Sequence, residues 1–248
     1  VRVAANYRNQ WPQISSPFVT GTVSADFGIL KNVINPNDVF GVGVLALYDQ
    51  SAGGGLKTTY AAVSTAYHKS LDVDGLQTLG LGVQVAYVQD RLDFTKLQFE
   101  DQLTSQGFDI GRASGENFTN SGVSYLDYNV GLLYNASIGE NSNFYLGGSF
   151  YHVTHPTKSF LGGTSSLSSR YTVHTGGSFE INKTTNIYAS GLYMQQAGAS
   201  EKDIGAAVGF LLNGIPESPT TFYIGSWYRL GDAINPYVGI EFNSWQIG

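Results

Sequence analysis

The stretch that decides the fold is Leu79–Val88, which has the sequence Leu-Gly-Leu-Gly-Val-Gln-Val-Ala-Tyr-Val. One parity of this stretch is wholly apolar: Leu79, Leu81, Val83, Val85 and Tyr87. The other parity holds small or polar residues, with one valine at the end. Because successive side chains of a strand point to opposite faces, the pattern predicts one apolar face and one small or polar face. Its length matches the roughly 9–11 residues of a tilted membrane-spanning strand, whereas the average strand has about 5–6.

Variants of this unit recur along the whole chain and predict thirteen strands. These strands are Arg2–Arg8, Phe18–Phe27, Val39–Tyr48, Thr58–His68, Leu79–Val88, Val123–Ser137, Phe144–Val153, Arg170–Ile181, Asn186–Gln196, Lys202–Leu212, Thr221–Arg229, Ile234–Phe242 and one that begins near Trp245. Val39–Tyr48 is apolar on both parities, so the pattern leaves its outward face open. The connections after strands one, three, five and seven are longer or more irregular than most of the others, as in outer-membrane barrels. The predicted fold class is therefore all-β, a transmembrane antiparallel up-and-down β-barrel.

The number of predicted strands indicates whether the domain is complete. Bacterial barrels have even numbers of strands, so we expect about 14 strands, with the fourteenth beyond Gly248. Val1 already falls inside a strand pattern, so the sequence is expected to be incomplete at both ends. We predict that residues 1–248 form a single outer-membrane β-barrel domain.

Composition agrees with this interpretation and excludes other classes. Charged residues make up 13% of the chain, below the roughly 25% of soluble domains, while 16 Tyr, 14 Phe and 31 Gly are many. Mean hydropathy is -0.08, because alternation hides the apolar half of each strand. No apolar run reaches about 18 residues, so no spanning helix is predicted. The net charge of -6 argues against nucleic-acid binding, and the absence of cysteine excludes disulfides and thiolate metal sites.

Motifs for catalysis or cofactor binding are weak, so we expect no enzyme, no cofactor and no metal. His152 and His155 lack a third clustered ligand and are better interpreted as a pair of loop histidines. A serine hydrolase built on Ser159 and His152 would lack a nucleophile elbow. The glycines 53–55 are not followed by a predicted helix, which disfavours a phosphate cradle.

Charged side chains on the inward parity carry both signs, which favours pairs that brace the interior over a selectivity filter. They are Arg2, Arg8, Arg170, His174, Asp26, Asp127, Asp203, Glu180 and Glu241.

The longest irregular stretch, Gln89–Gly122, is the candidate site. It holds six acids and three basic residues, a net charge of -3. Among these charges lie four apolar residues, Phe94, Leu97, Phe99 and Phe108. Loops of this length are usually functional or disordered, and aromatic side chains are enriched in interface cores. We therefore predict that this external loop binds the partner; an inward-folded plug of the lumen remains the alternative.

Several motifs resemble one family across the whole chain. The heptapeptide Asn6-Tyr7-Arg8-Asn9-Gln10-Trp11-Pro12 is similar to a hallmark of the PorP/SprF family of type IX secretion membrane proteins. The segments 48–53, 67–68, 97–116, 152–160, 170–177 and 198–200 resemble later segments of that family. Trp227-Tyr228-Arg229 with Asp232-Ala233 resembles its C-terminal signature. The signature residues Tyr7, Arg8, Asn9, Gln10, Trp11, Arg229 and Asp232 are expected to be structural, with both arginines held by carboxylates or carbonyls.

The resemblance implies a non-enzymatic outer-membrane protein of Bacteroidota that serves type IX secretion and, in gliding species, gliding motility. It implies as partners the components of that secretion system and a secreted adhesin or other surface protein, bound through its C-terminal domain for export or attachment. Outer-membrane lipid is the expected surrounding. An outer-membrane diffusion or uptake channel is the alternative, and a lipid-modifying enzyme is a third hypothesis.

Overall fold

Each strand of the large sheet pairs antiparallel with its neighbour along the chain. The computed structural model describes residues 1–13, 16–115, 121–160, 163–213, 219–243 and 245–248. The strands are β1 (Arg2–Gln10), β2 (Phe18–Ile29), β3 (Val39–Ser51), β4 (Leu56–Ser70), β5 (Gln77–Leu92), β6 (Leu103–Thr104), β7 (Gly107–Phe108), β8 (Gly122–Ser137), β9 (Asn143–Tyr151), β10 (Arg170–Asn182), β11 (Thr185–Gln196), β12 (Ala199–Asn213), β13 (Thr220–Arg229), β14 (Ala233–Phe242) and β15 (Trp245–Ile247). Thirteen of them form the large sheet in the order β1 to β5, then β8 to β15, while β6 and β7 form a separate hairpin.

All thirteen predicted strands are present, and their ends differ from the prediction by a few residues. β5 continues to Leu92 because its ladder with β4 extends to the pair Leu56–Leu92. The irregular stretch predicted at Gln89–Gly122 was therefore too long, and the connection is 93–121. β9 ends at Tyr151 rather than Val153, since His152 adopts a left-handed φ of 58°.

The two faces of the sheet follow the predicted alternation. The outward side chains of Leu81 and Leu126 are 58% and 50% exposed, whereas the inward side chains of Ala86 and Asp127 are 0% and 1% exposed. The structure also decides the facing of β3, which the sequence left open. The exposed face of β3 carries Val44, Ala46 and Tyr48.

The side chains that face the interior are mostly small or polar, whereas the core of a soluble protein is mostly apolar. Its one hydrophobic cluster among the described residues consists of Ala62, Ala86 and Val88. The largest fully buried side chains are those of Asp90 and Asp127. A protein with an apolar exterior and a polar interior is adapted to lipid outside and to polar contacts inside.

Within the described residues the ladders run from β1 through to β15, and none of them joins β15 to β1. The closed, fourteen-stranded state therefore stays a prediction.

No helix in the described part of the chain is long and apolar enough to cross a membrane.

Candidate functional site

The longest connections lie at one end of the sheet, which we call the long-loop end. It is formed by the connections 11–17, 52–55, 93–121, 152–169, 197–198 and 230–232, because strands of a meander alternate in direction. The signature residues also gather there, since Tyr7–Gln10 end β1, Trp11 follows it and Arg229 ends β13. The long-loop end thus holds both the predicted binding loop and the signature residues, and it is the candidate functional site.

At the end of β1, the signature residues are exposed and make local contacts. The Nη2 group of Arg8 donates to Oε1 of Gln10 at 2.8 Å. Asn9 pairs with Val19 in the ladder to β2. Trp11 adopts a φ of 55°, and its ring packs edge-on against Phe18 with 5.6 Å between centroids. Tyr7 lies on the outward parity of β1 and is largely exposed.

At the end of β13, Arg229 lies among three carboxylates. Its guanidinium group is 3.1 Å from Glu201, 3.2 Å from Asp203 and 3.3 Å from Asp232. Asp203 is its direct ladder partner on β12, and Asp232 follows in the tight connection 230–232. The C-terminal signature therefore ties two strands and one turn of the long-loop end together. By comparison, the Arg2–Asp26 pair is mostly exposed.

The connection 93–121 has local structure in its described part. Asp93 accepts hydrogen bonds from the amide and the hydroxyl of Thr95, and these bonds lower the pKa of its carboxyl group. A first 3₁₀ turn covers Phe94–Lys96, and a second covers Glu100–Gln102. The buried amide of Gln102 donates to the carbonyl of Arg112 at 2.9 Å. These bonds give the loop a defined shape of its own.

The four predicted binding residues occupy two environments. Phe94, Leu97 and Phe99 are half-buried in and beside the 3₁₀ turns, whereas Phe108 is exposed on the β6–β7 hairpin. The structure therefore separates Phe108 from the three residues with which the sequence had grouped it. Leu103 and Ile110, which are 54% and 79% exposed near Phe108, were not among the predicted binding residues. Their position among acidic residues was the sequence signal that could have identified them as binding residues.

The same loop is attached to a neighbouring connection rather than isolated. The amide of Asp93 donates to the carbonyl of Gly55 at 2.7 Å. Lys96 Nζ donates to the carbonyl of Gly53 at 3.3 Å. The glycines 53–55 thus support the 93–121 connection through backbone carbonyls. Of the acids assigned to the loop, Glu116 lies outside the described residues.

A second loop, 152–169, contacts the interior through residues of its described part, and the sequence did not predict this. Lys158 Nζ lies 2.9 Å from Oδ2 of Asp90, whose side chain is 0% exposed. Asp90 was predicted to belong to the irregular stretch, but it lies in β5 and points inward, where Thr58 donates to its other oxygen at 2.5 Å. The available signal was an inward carboxylate with no cation on the inward face of its own strand, since Arg91 lies on the opposite parity.

His152 anchors the start of that loop to β8. Its Nδ1 atom lies 3.0 Å from Oδ1 of Asp127, and its backbone amide donates to Oδ1 of Asn129 at 3.0 Å. Nε2 of His155 lies 3.3 Å from the hydroxyl of Ser169, so the two histidines have different partners. Ser159 accepts the amide of Gly163 at 3.0 Å. No group of three or more possible metal ligands occurs among the described residues.

Three solved structures of other proteins align with most of this chain. A KdgM porin in complex with disordered oligogalacturonate aligns with a TM-score of 0.47 at 9% identity, over 96% of this chain and 97% of that one. BamA from Haemophilus ducreyi aligns with a TM-score of 0.47 at 10% identity, over 92% and 56% of the two chains. The beta domain of the Bordetella autotransporter BrkA aligns with a TM-score of 0.45 at 12% identity, over 97% and 95%.

The amino-acid sequence identifies the family of this chain, which the solved structures above do not. No curated sequence matches the chain significantly. The profile of the family described as type IX secretion system membrane protein PorP/SprF matches residues 1–248. Together with the apolar outer face of the sheet, that match places this β-barrel in the outer membrane. The chain therefore belongs to the PorP/SprF family of type IX secretion system membrane proteins.

Proposed function

We propose that this protein is a non-enzymatic outer-membrane component that binds a secreted protein through its C-terminal domain, for export or attachment at the cell surface. Membership of a type IX secretion family supports the role in secretion. The observation that carries the binding role is the exposed apolar group Leu103, Phe108 and Ile110 at the long-loop end. We call these three residues the hairpin patch.

The hairpin patch has the composition of a binding surface. It stands on β6, β7 and the residues directly after them, away from the ladders of the large sheet. Acidic side chains, among them Asp101 and Asp109, are exposed around it. Apolar groups rimmed by polar residues mark sites of protein interaction, and aromatic residues there often contribute most of the binding energy. A partner that presents apolar side chains next to basic residues fits this surface best.

The plug interpretation of the 93–121 connection is less well supported. Within the described residues, Lys158 and His152 of the other loop contact inward carboxylates of the sheet. The 93–121 connection is bonded to the backbone of 53–55, and Phe108 on its hairpin is exposed. These contacts favour partner binding over a plug for this loop.

The binding role is tested by changing the hairpin patch in the native organism. The double variant Phe108→Ser, Ile110→Ser should lower the amount of secreted protein that co-purifies with the barrel by about tenfold, since interface aromatics contribute about 1–2 kcal/mol or more each. Val73→Ser is the matched control, because Val73 is 92% exposed but lies in the 71–76 turn at the opposite end. Equal co-purification by both variants would rule out the hairpin patch as the binding surface.

A diffusion channel is the competing function, and a separate measurement addresses it. Purified protein in planar bilayers should give no steady open conductance if the interior contacts of the 152–169 loop persist. A stable open pore in the wild-type protein would favour the channel.

A further inference from the structure

The inner face of the sheet has an aromatic recess that the secretion role does not use. It is a cavity of about 320 Å³, at the lower end of the roughly 300–1,000 Å³ that ligand pockets occupy. All the residues that line it are uncharged. Its inward-facing side chains are Asn143, Tyr145, Ser178, Tyr188, Ser190 and Trp227. Open space beside aromatic rings and a few polar groups is typical of a small-molecule site.

The recess is built on one row of ladder partners that crosses five strands. Tyr145, Gly176, Ser190, Gly205 and Trp227 are successive partners from β9 to β13. A Cβ on Gly176 would lie 2.6 Å from the Tyr145 hydroxyl, and a Cβ on Gly205 would lie 2.5 Å from the indole ring. Because each glycine lies one strand nearer to β11, both rings lean toward Ser190 from opposite sides. The two glycines therefore give the recess an aromatic ring on each side.

The rings of the recess are held in place before any ligand binds. Trp227 makes a T-shaped contact with Tyr237, with 5.8 Å between centroids, and Tyr188 makes one with Tyr223 at 5.6 Å. Tyr145, Tyr188 and Trp227 nevertheless stay half-buried, so part of each ring surface is open to the recess. Rings that are already fixed lose little freedom when a ligand packs on them, which favours binding.

The serine hydroxyls of the recess can still donate hydrogen bonds. Ser190 accepts the indole N–H of Trp227 at 2.8 Å, and Ser178 accepts the side-chain amide of Asn143 at 2.8 Å. Within the described residues, neither hydroxyl has an acceptor for its own hydrogen. Since a hydroxyl donates one bond and accepts two, each serine can both donate to a ligand and accept from it.

The acids on these strands have partners outside the recess. Glu180 accepts the side-chain amide of Asn141, and Asp203 pairs with Arg229 at the long-loop end. Neither acid lines the recess. A ligand in the recess would therefore meet aromatic and neutral polar groups without a counter-charge, which favours a neutral ligand over an ion.

We propose that this recess binds a neutral saccharide, with one sugar ring between Tyr145 and Trp227 and its hydroxyls bonded to Ser178 and Ser190. A pyranose fits because its apolar C–H face packs on the electron-rich face of an aromatic ring, while its hydroxyls donate and accept. A purely apolar ligand would cover the serine hydroxyls without giving them partners. The site is independent of the hairpin patch, since Asn143 begins β9 at the end of the sheet opposite the long-loop end.

The first test is sugar binding to the full chain in lauryldimethylamine oxide, a detergent without sugar groups. Glucose, galactose and N-acetylglucosamine are titrated while the emission of the three tryptophans is followed. At least one sugar should change the emission to saturation, and Trp227→Phe should abolish that change. Trp245→Phe should retain it, because Trp245 is 71% exposed on β15. If none of the three sugars gives a saturable response by emission or by calorimetry, the proposal is wrong.

Two further variants separate binding from folding. Tyr145→Leu stays apolar but loses the ring, so calorimetry should show about tenfold weaker sugar binding. Ser178→Ala removes one donor and should weaken binding by about three- to tenfold, the usual effect of one hydrogen bond. Its thermal midpoint without sugar should match wild type, because the bond that it loses is exposed. Ser226→Ala is the control, since Ser226 is exposed on the outward face of β13. Wild-type sugar affinity in both recess variants would overturn the proposal.

The class of ligand is tested with two compounds related to the sugars. Mannitol has the hydroxyls of a hexose but no ring, and glucuronate has the ring with a negative charge, so both should bind more weakly than the sugar that responds. Equal or tighter binding of either compound would contradict a neutral sugar ring as the ligand. Maltotriose and chitotriose are then compared with glucose and N-acetylglucosamine. Tighter binding of the trisaccharide identifies a glycan chain as the source, and equal binding identifies a single sugar.

Discussion

Lys158 of the 152–169 loop makes an ion pair with Asp90 of β5, at 2.9 Å between Nζ and Oδ2. The carboxylate is fully buried, while the lysine side chain is 36% exposed. Burying a charge is unfavourable unless it is paired, so this lysine allows β5 to keep an acid in the interior. The pair also holds the loop over that part of the interior wall.

Replacement of Lys158 is therefore expected to destabilise the folded protein. Lys158→Met leaves Asp90 with the hydroxyl of Thr58 as its one other side-chain partner in the described structure. The free energy of unfolding should fall by about 1–3 kcal/mol, the usual effect of an unsatisfied buried acceptor. Denaturant unfolding in detergent measures it.

The control for this prediction is Lys183→Met, since Lys183 is an exposed lysine in the 183–184 turn at the opposite end. A further variant, Asp90→Asn with Lys158→Met, should recover part of the loss because it removes the unpaired charge. If Lys158→Met and Lys183→Met unfold at the same denaturant concentration, the pair does not stabilise the fold.

The sequence was sufficient for the strands but not for the loops. Alternation has a local cause, the opposite directions of successive side chains, so it placed Asp127 inside and Leu81 outside correctly. Alternation could not predict which face of β3 points outward, because both of its faces are apolar. The Lys158–Asp90 contact could not be predicted because it joins distant parts of the chain through a loop whose left-handed His152 and His155 carry no periodic signal.

The Arg229 cluster should stabilise the long-loop end more than the Arg2–Asp26 pair stabilises β1. Arg229→Gln leaves Glu201, Asp203 and Asp232 close together without their cation, so repulsion adds to the lost attraction. We expect a loss of about 1 kcal/mol, reduced at high salt because the cluster is partly exposed.

Arg2→Gln is the comparison, with an expected effect of about 0.5 kcal/mol or less because its side chain is 80% exposed. Unfolding at low and high sodium chloride measures both variants. A larger effect for Arg2→Gln than for Arg229→Gln would contradict the stabilising role of the signature arginine.

Stability at acid pH should depend on Asp38, which lies in the 30–38 connection outside the strands. Its carboxylate accepts hydrogen bonds from the hydroxyl of Tyr67, from the amide of Ser70 at 2.9 Å and from Lys69 at 3.0 Å. These contacts lower the pKa of Asp38 from 3.8 to about 2. Because the folded state holds the proton less tightly than the unfolded state, the carboxylate contributes stability above pH 3.8, and that contribution is lost as pH falls through about 2.

Thermal unfolding of wild type and Asp38→Asn between pH 6 and pH 2 tests this dependence. The difference between the two proteins should be constant down to about pH 4 and should shrink steadily toward pH 2. Asp74→Asn is a suitable control, since Asp74 lies in the 71–76 turn, also at that end of the sheet, and is exposed. A difference that did not change with pH would show that Asp38 is not the titrating group.

The contact between Gly205 and Trp227 should tolerate no added side chain. Gly205 is the ladder partner of Trp227, and a Cβ there would lie 2.5 Å from the Ser226 carbonyl oxygen and 2.5 Å from the indole ring. The ring cannot move aside freely, because its Nε1 group donates to Ser190 at 2.8 Å and it makes a T-shaped contact with the Tyr237 ring, with 5.8 Å between centroids. Gly205→Ala should therefore lower the free energy of unfolding by about 1–3 kcal/mol. Gly21→Ala, with no atom within 4 Å of its Cβ, should be neutral or slightly stabilising in the same urea titration. If the two variants unfold at the same urea concentration, the packing around Trp227 tolerates a side chain at position 205.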